Sequence, residues 1–114
     1  MTGIALVGAG AFGEKHLEGL KNIDDARIVS VISREADQAA EVAAKYGAPH
    51  SGIELADALA RDDVDAVILC TPTPMHAEQA IACMNAGKHV QVEIPLSDSW
   101  ADAQAVVKKQ EETG

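Results

Sequence analysis

Short apolar runs alternate along the chain with stretches whose apolar residues recur at helical spacing. Continuous apolar runs occupy residues 4–7 and 66–70, and their length and unbroken apolarity are typical of strands buried on both faces. In residues 35–46 the apolar positions instead return every three or four residues, as on one face of a helix. This alternation predicts an open, doubly wound α/β fold, with a mostly parallel sheet covered by helices on both faces.

The pattern predicts about five strands, each followed by a helix. The strands are expected at residues 4–7, 27–32, 48–50, 66–70 and 89–93, and the first three helices at about 11–22, 35–46 and 53–60. The fourth helix is expected to have Thr73 as its N-cap and Pro74 as its first residue, and Ser97 or Ser99 should cap the fifth. Gly47 and Gly87 are expected to end the second and fourth helices.

Three spaced glycines follow the first strand. Gly8, Gly10 and Gly13 fit G-x-G-x-x-G at a strand-to-helix junction, which is the context of the dinucleotide-binding fingerprint of the Rossmann fold. Gly8 would permit the tight turn, Gly10 would let a pyrophosphate approach the backbone, and Gly13 would let the helix lie close to the strand. Ala11 and Phe12 would lie at the same phosphate site, at the helix N-terminus. A plain glycine turn is the alternative.

Composition narrows the possible partners. The chain has 114 residues, 47% of them hydrophobic, and residues 1–114 are expected to form one domain. A formal net charge of −9 disfavours nucleic acid and anionic membranes as partners, so a bound phosphate must be held by backbone amides and single cations. Cys70 and Cys83 form no C-x-x-C motif, which predicts a reduced, cytoplasmic protein without a metal site or disulfide. We see no signal peptide or membrane span.

The fifth strand would be the edge of the sheet. The full dinucleotide fold has six strands, and the chain ends where a sixth would follow. An uncovered edge is one that proteins usually avoid. We therefore expect the chain to be the N-terminal part of a longer protein, with an intact small nucleotide-binding protein as the alternative.

The residues after the second strand set cofactor selectivity in dinucleotide folds. An acidic residue about 20 positions after the last glycine binds the adenosine ribose of NAD. Here those positions are Ser33 and Arg34, a hydroxyl and a guanidinium that suit the 2′-phosphate of NADP. The sequence therefore favours NADP, although Glu35 could still reach a ribose and NAD remains possible.

A second group of candidate residues follows the strand at 66–70. Ligands of open α/β sheets bind outside the carboxyl ends of the strands, so Thr71, Pro72 and Thr73 are expected to face the same crevice as the glycines. His76 could contact ribose or phosphate, or it could merely cap the helix. Glu93 ends its strand on the same side, and its carboxylate should border the crevice.

Three ordered motifs resemble a known family. The glycine loop, the Thr-Pro-x-x-x-His turn and the Gly-Lys-His-Val…Glu-x-Pro strand are together similar to the N-terminal domain of Gfo/Idh/MocA-type oxidoreductases. The resemblance implies a nicotinamide-binding Rossmann domain that is followed by a substrate domain. It implies pyrophosphate contacts at residues 10–13, adenosine contacts at Ser33 and Arg34, and ribose contacts around Thr71, Pro72, Thr73 and His76. Glu93 would approach the nicotinamide.

One position departs from the family pattern. The family usually has Glu-Lys-Pro, with the lysine as catalytic acid/base, whereas this chain has Ile94 at that position. Glu-Ile-Pro resembles the group of the family that oxidises, with NADP, the cyclic hemiacetal of a carboxylated hydroxymuconate semialdehyde. The resemblance therefore implies a catalytic base in a second domain, which would also bind the carboxylated substrate, and we expect a homo-oligomer. The alternatives are a sugar or inositol dehydrogenase and a non-catalytic dinucleotide-sensing module.

Overall fold

The structure is a computed structural model that describes residues 2–93, 97 and 99–113, with only the backbone described at positions 11 and 12. Ile94, which departs from Glu-Lys-Pro, and Pro95 lie outside the described residues. The strands are β1 (Thr2–Val7), β2 (Ala26–Ile32), β3 (His50–Gly52), β4 (Ala66–Leu69) and β5 (His89–Val92). The helices are α1 (Ala11–Leu20), α2 (Ala36–Tyr46), α3 (Leu55–Leu59), α4 (His76–Asn85) and α5 (Trp100–Thr113), and a 3-10 turn, Thr73–Met75, precedes α4.

The five strands form one parallel sheet in the order β3-β2-β1-β4-β5. The chain moves outward from β1 to β3 and then returns to place β4 on the other side of β1. The order therefore reverses between β1 and β4, and the fold is the predicted doubly wound α/β sheet of Rossmann type. Ligands of such sheets bind outside the carboxyl ends of the strands at this reversal.

Two apolar layers cover the sheet, one on each face. Side chains of α1 and α2 pack on one face and those of α3, α4 and α5 on the other. Alternation along β1 divides its residues between the layers, because successive side chains of a strand point to opposite faces. Ile4 and Leu6 therefore join the first layer, and Ala5 and Val7 the second.

A bulge in β2 changes this alternation. Ile4 pairs with Ile28 but Ala5 pairs with Ser30, so Val29 is an extra residue in β2. The buried hydroxyl of Ser30 lies 2.7 Å from Nδ1 of His50 on β3, a side-chain hydrogen bond beside the backbone pairing of the same two residues.

The third strand begins two residues later than predicted. The expected range was 48–50, whereas β3 is His50–Gly52. The N–H of Ala48 is not available to the sheet, because it donates to the carbonyl of Ala43 at 2.8 Å in the C-terminal cap of α2. Gly47 makes this cap possible with φ of 74°, a left-handed conformation that glycine adopts without strain.

The helix ends agree with most of the predictions. Gly87 follows α4 with φ of 76°, and the hydroxyl of Ser99 accepts the N–H of Asp102 at 3.0 Å, which caps α5. The prediction for Thr73 was wrong. Thr73 is the first residue of the 3-10 turn and provides no side-chain cap, because the extended Pro72 (ψ 143°) is the residue that enters the turn.

Candidate functional site

A cleft of about 280 Å³ lies at the carboxyl edge of the sheet, where the strand order reverses. It is open at the ends of β1, β2 and β4, and β4 contributes the loop that follows Leu69. The cleft is lined by Val7, Gly8, Ala9, Gly10, Ile32, Ser33, Arg34, Gln38, Ile53, Leu55, Cys70, Thr71, Pro72, Met75 and Gln79. It therefore brings together residues that are up to 72 positions apart in the sequence (from Val7 to Gln79).

The three glycines of the fingerprint have three different surroundings. Gly8 has φ of 97°, and a Cβ there would lie 2.5 Å from the carbonyl oxygen of Cys70, so the turn needs glycine. At Gly13 a Cβ would lie 2.1 Å from the carbonyl oxygen of Gly8, and α1 therefore packs closely on the turn, as predicted. A Cβ at Gly10 would meet nothing within 4 Å. Gly10 precedes α1 and lines the cleft, so the open space there is available to a ligand.

The end of β2 places a hydroxyl and a guanidinium on the cleft. Ser33 is buried, whereas Arg34 is exposed. The Ser33 hydroxyl accepts the N–H of Glu35 at 3.4 Å and donates to Oε1 of Gln38 at 2.6 Å. Gln38, on the first turn of α2, was not among the predicted site residues. The sequence feature that could have identified Gln38 is a polar side chain five positions after Ser33. At that distance the first turn of α2 places the side chain back at the end of β2.

A similar arrangement follows β4. The hydroxyl of Thr71 donates to Oε1 of Gln79 at 2.5 Å, and Gln79, on α4, was also missed. Both hydroxyls thus donate to glutamine carbonyl oxygens. An amide group has two further N–H donors on its nitrogen, so each glutamine can offer a donor to a ligand in the cleft.

His76 occupies a different position from the one that a direct ligand contact needs. The ring is 1% exposed, and its Nε2–H donates to the carbonyl of Thr71 at 2.7 Å. His76 thus holds the loop after β4 from the buried side of that loop. Thr71 and Pro72 line the cleft, and Thr73 lies beside it in the 3-10 turn. The predicted alternative, in which His76 contacts ribose or phosphate, does not agree with this burial.

Glu93 forms a cluster with His16 and Cys70 beside the cleft. His16 Nε2 contacts Glu93 Oε1, and the ligand atoms of all three residues lie within 4.8 Å of one another. Burial, and secondly the charge of Glu93, raise the pKa of the Cys70 thiol to about 11, so the thiol is neutral at pH 7. The three side chains are of types that bind zinc, but His16 and Glu93 already bind each other. Cys70 lines the cleft and connects the cluster to it.

The electrostatic character of the cleft differs from that of the whole chain. Of the residues named above as its lining, Arg34 alone is ionic, and no carboxylate is among them. The net charge of −9 therefore arises from acidic groups outside this lining. Such a cleft suits an anionic ligand that is bound by backbone N–H groups and one guanidinium.

The model of an oxidoreductase family with an NAD-binding Rossmann fold (GFO_IDH_MocA) matches residues 2–114. The chain belongs to this family. Its five-stranded sheet and glycine loop are thus the NAD(P)-binding fold of Gfo/Idh/MocA oxidoreductases, as the resemblance of its motifs predicted.

Individual relatives are similar over nearly the whole chain. A 4-carboxy-2-hydroxymuconate-6-semialdehyde dehydrogenase of Sphingobium sp. (strain NBRC 103272 / SYK-6) is 83% identical over 97% of this chain, which covers 35% of the relative. A scyllo-inositol 2-dehydrogenase (NADP(+)) of Bacillus subtilis (strain 168) is 33% identical over 100% of this chain and 35% of the relative. Among solved structures, GenD2 from gentamicin A biosynthesis, in complex with NAD, has a TM-score of 0.94 at 32% identity, covering 99% of this chain and 32% of GenD2.

The chain spans about a third of the length of the curated relatives that it matches. The similarity therefore concerns the dinucleotide-binding part of these oxidoreductases. Within the described part of the chain, no helix is long and apolar enough to cross a membrane.

Proposed function

We propose that this chain is the NADP-binding domain of a dehydrogenase that oxidises the cyclic hemiacetal of 4-carboxy-2-hydroxymuconate semialdehyde to 2-pyrone-4,6-dicarboxylate. The observation that carries the substrate is the 83% identity to a relative with that dehydrogenase name. The observations that carry the cofactor are the glycine loop and the residues at the end of β2. The enzyme would act in the cytoplasm, as a homo-oligomer.

The cleft suits the adenosine and pyrophosphate of a dinucleotide. The open space at Gly10, in front of the N-terminus of α1, accommodates a pyrophosphate that accepts bonds from the N–H groups at the start of that helix. Ala11 and Phe12 contribute to this site through their backbone. Apolar surface from Ile53 and Met75, both partly exposed at the cleft, packs against the adenine.

The end of β2 favours NADP over NAD. Arg34 supplies a guanidinium for the 2′-phosphate, and no carboxylate that would repel that group is among the described residues lining the cleft. Gln38 adds a neutral donor, because the Ser33 hydroxyl occupies its carbonyl oxygen and leaves the amide N–H₂ to face an anion. Glu35 is exposed at the entry to α2.

A bound nicotinamide would supply the hydride acceptor: oxidation would remove a hydride from the substrate carbon and a proton from the hemiacetal hydroxyl, and would leave the lactone, the reduced cofactor and one proton. The residues of this chain bind and orient the cofactor. Thr71 and Pro72 form the wall of the cleft after β4, His76 holds that wall, and Glu93 lies near the nicotinamide. Ile94 has no group that accepts a proton, so the base that deprotonates the hydroxyl comes from a second domain.

A sugar or inositol substrate within the family is the second candidate. The scyllo-inositol relative supports it, but at 33% identity against 83% for the semialdehyde dehydrogenase. Assays of the full-length protein with both substrate classes separate the two. A non-catalytic dinucleotide sensor would instead bind cofactor and turn over neither substrate.

Calorimetric titration of this chain with NADPH and with NADH, at equal ionic strength, tests the cofactor proposal. We expect NADPH to bind at least tenfold more tightly than NADH, because only NADPH carries the phosphate that Arg34 and Gln38 face. Equal affinities would contradict the NADP preference. Absence of binding for both cofactors would contradict the dinucleotide site in this chain.

Gln38→Glu tests the part of the cleft that sequence patterns missed. The variant keeps the oxygen that accepts from Ser33 but replaces the amide donor with a negative charge. We expect NADPH to bind about tenfold more weakly and NADH to change less than twofold, because the charge repels the 2′-phosphate. Gln110→Glu is the matched control. Gln110 lies near His89, the first residue of β5, and so at the amino ends of the strands, whereas the cleft lies at their carboxyl ends. Equal losses for both cofactors in Gln38→Glu would show that Gln38 does not face the phosphate.

A further inference from the structure

One side-chain contact joins α1 to the residue that follows β5. His16 lies on α1, the helix that follows the glycine loop, and Glu93 follows β5 at the sheet edge. The two side chains are 27% and 32% exposed, and their contact passes over the carboxyl end of β4, where Cys70 lies. The contact therefore connects α1, which begins at the glycine loop, to the end of β5, the strand on the outer side of β4.

We propose that His16 is a positioning residue that holds the Glu93 carboxylate against the nicotinamide half of the cofactor. The inference rests on the proposed function and deepens it, because it assigns a role to a residue outside the cleft lining. In this arrangement α1 binds the pyrophosphate through its N-terminus and, one turn later, fixes the acidic group at the other end of the cofactor.

Glu93 needs such a partner because only its backbone is fixed by the sheet. Its N–H donates to the carbonyl of Leu69 at 3.1 Å, which extends the pairing of β4 and β5 by one residue. A half-exposed glutamate side chain retains rotational freedom that a ligand would have to remove on binding. The bond to His16 restricts that freedom before the ligand arrives.

The bond also leaves capacity for the ligand. A carboxylate has two oxygens with about four acceptor positions in total, and His16 Nε2 uses one position on Oε1. The carboxamide N–H₂ of nicotinamide can donate to the remaining positions. The direction of the cofactor agrees with this role: adenosine lies at the end of β2, pyrophosphate at β1, and the remaining half extends across Cys70 of β4 towards Glu93.

A purely structural role for His16 is the competing explanation, since the same contact also ties α1 to the sheet edge. The two roles differ in which ligand they affect. A loosened α1 would weaken every ligand that uses the glycine loop, whereas a released Glu93 would weaken only ligands that contain nicotinamide. The fragment 2′-phospho-ADP-ribose has the adenosine, 2′-phosphate and pyrophosphate of NADPH but no nicotinamide, and it distinguishes them.

Calorimetry of this chain with NADPH and with 2′-phospho-ADP-ribose is the test. We expect His16→Ala to weaken NADPH about tenfold and the fragment less than twofold. His16→Gln should recover most of the NADPH affinity, because its amide can donate to Glu93 from a similar position. Glu93→Ala should resemble His16→Ala, and the double variant should lose little more than either single variant, as expected for a pair that acts together.

Other results would contradict either the positioning role of His16 or the proposed function. Equal losses for both ligands in His16→Ala, or no rescue by His16→Gln, would overturn the positioning role. Wild-type chain that binds both ligands equally well would show that nicotinamide makes no contact here, which overturns the inference but not the proposed cofactor domain. Wild-type chain that binds neither ligand would overturn the proposed function itself. Thermal unfolding of each variant shows that the comparison is made on folded protein.

Discussion

Gly13→Ala is expected to lower the unfolding temperature of the chain by about 10 °C or more. A Cβ at this position would lie 2.1 Å from the carbonyl oxygen of Gly8 and 3.2 Å from Cδ2 of Leu6. Non-bonded carbon and oxygen atoms cannot approach to 2.1 Å, so either α1 or the glycine turn must move. Overpacking of this kind typically costs about 1–3 kcal/mol, and each kcal/mol lowers the unfolding temperature of a domain of this size by several degrees.

The expected cost is near the upper end because neither neighbour moves easily. Gly8 has φ of 97° and itself lies against the carbonyl of Cys70, and the Leu6 side chain is fully buried. Gly19→Ala is the matched control, since it lies on the same helix and an added Cβ there meets nothing within 4 Å. Alanine is the better helix former, so this control should be up to about 1 kcal/mol more stable than wild type. Calorimetric or circular dichroism melts compare the three proteins, and a Gly13→Ala variant that melts with wild type would contradict the close approach.

The fold was predictable because its signals are local. Strands of three to seven residues and amphipathic helices alternate along the chain, and glycines mark the ends of α2 and α4. The error at β3 has a physical cause, since Ala48 looks like a strand residue but its N–H belongs to the cap of α2. A sequence pattern records side chains and does not record which backbone group has already been used.

The candidate site was predictable in part for the same reason. The glycine loop, Ser33, Arg34, Thr71 and Pro72 directly follow strands, and the parallel sheet brings all such residues to one edge.

Other parts of the site depend on contacts between elements. Gln38 and Gln79 reach the cleft from helices. Neither was predicted, because the role of Gln38 depends on a hydroxyl five positions earlier and that of Gln79 on a hydroxyl eight positions earlier. His16 and Glu93 are 77 positions apart, and no periodicity relates them. The sequence left two alternatives open for His76, a ligand contact and a helix cap, because its burial and its bond to the Thr71 carbonyl depend on how the loop after β4 folds.

Gly10→Ala should have the opposite effect to Gly13→Ala: it should remove cofactor binding and leave the fold intact. Gly10 has φ of −78° and ψ of −167°, values that alanine adopts without strain, and an added Cβ meets no protein atom within 4 Å. We therefore expect a change in unfolding free energy of less than about 1 kcal/mol, since the loss of a glycine N-cap and the lower entropy of the unfolded chain act in opposite directions.

Binding should respond strongly because the space in front of Gly10 is the proposed pyrophosphate site. A methyl group there keeps phosphate oxygens away from the N–H groups at the start of α1, which lengthens several hydrogen bonds at once. We expect NADPH to bind at least tenfold more weakly in calorimetric titration, and 2′-phospho-ADP-ribose to lose affinity by the same factor, because both ligands share the pyrophosphate. Gly19→Ala again serves as the control and should bind both ligands like wild type. Unchanged binding in a folded Gly10→Ala variant would place the phosphates elsewhere, and the glycine loop would then be a structural turn alone.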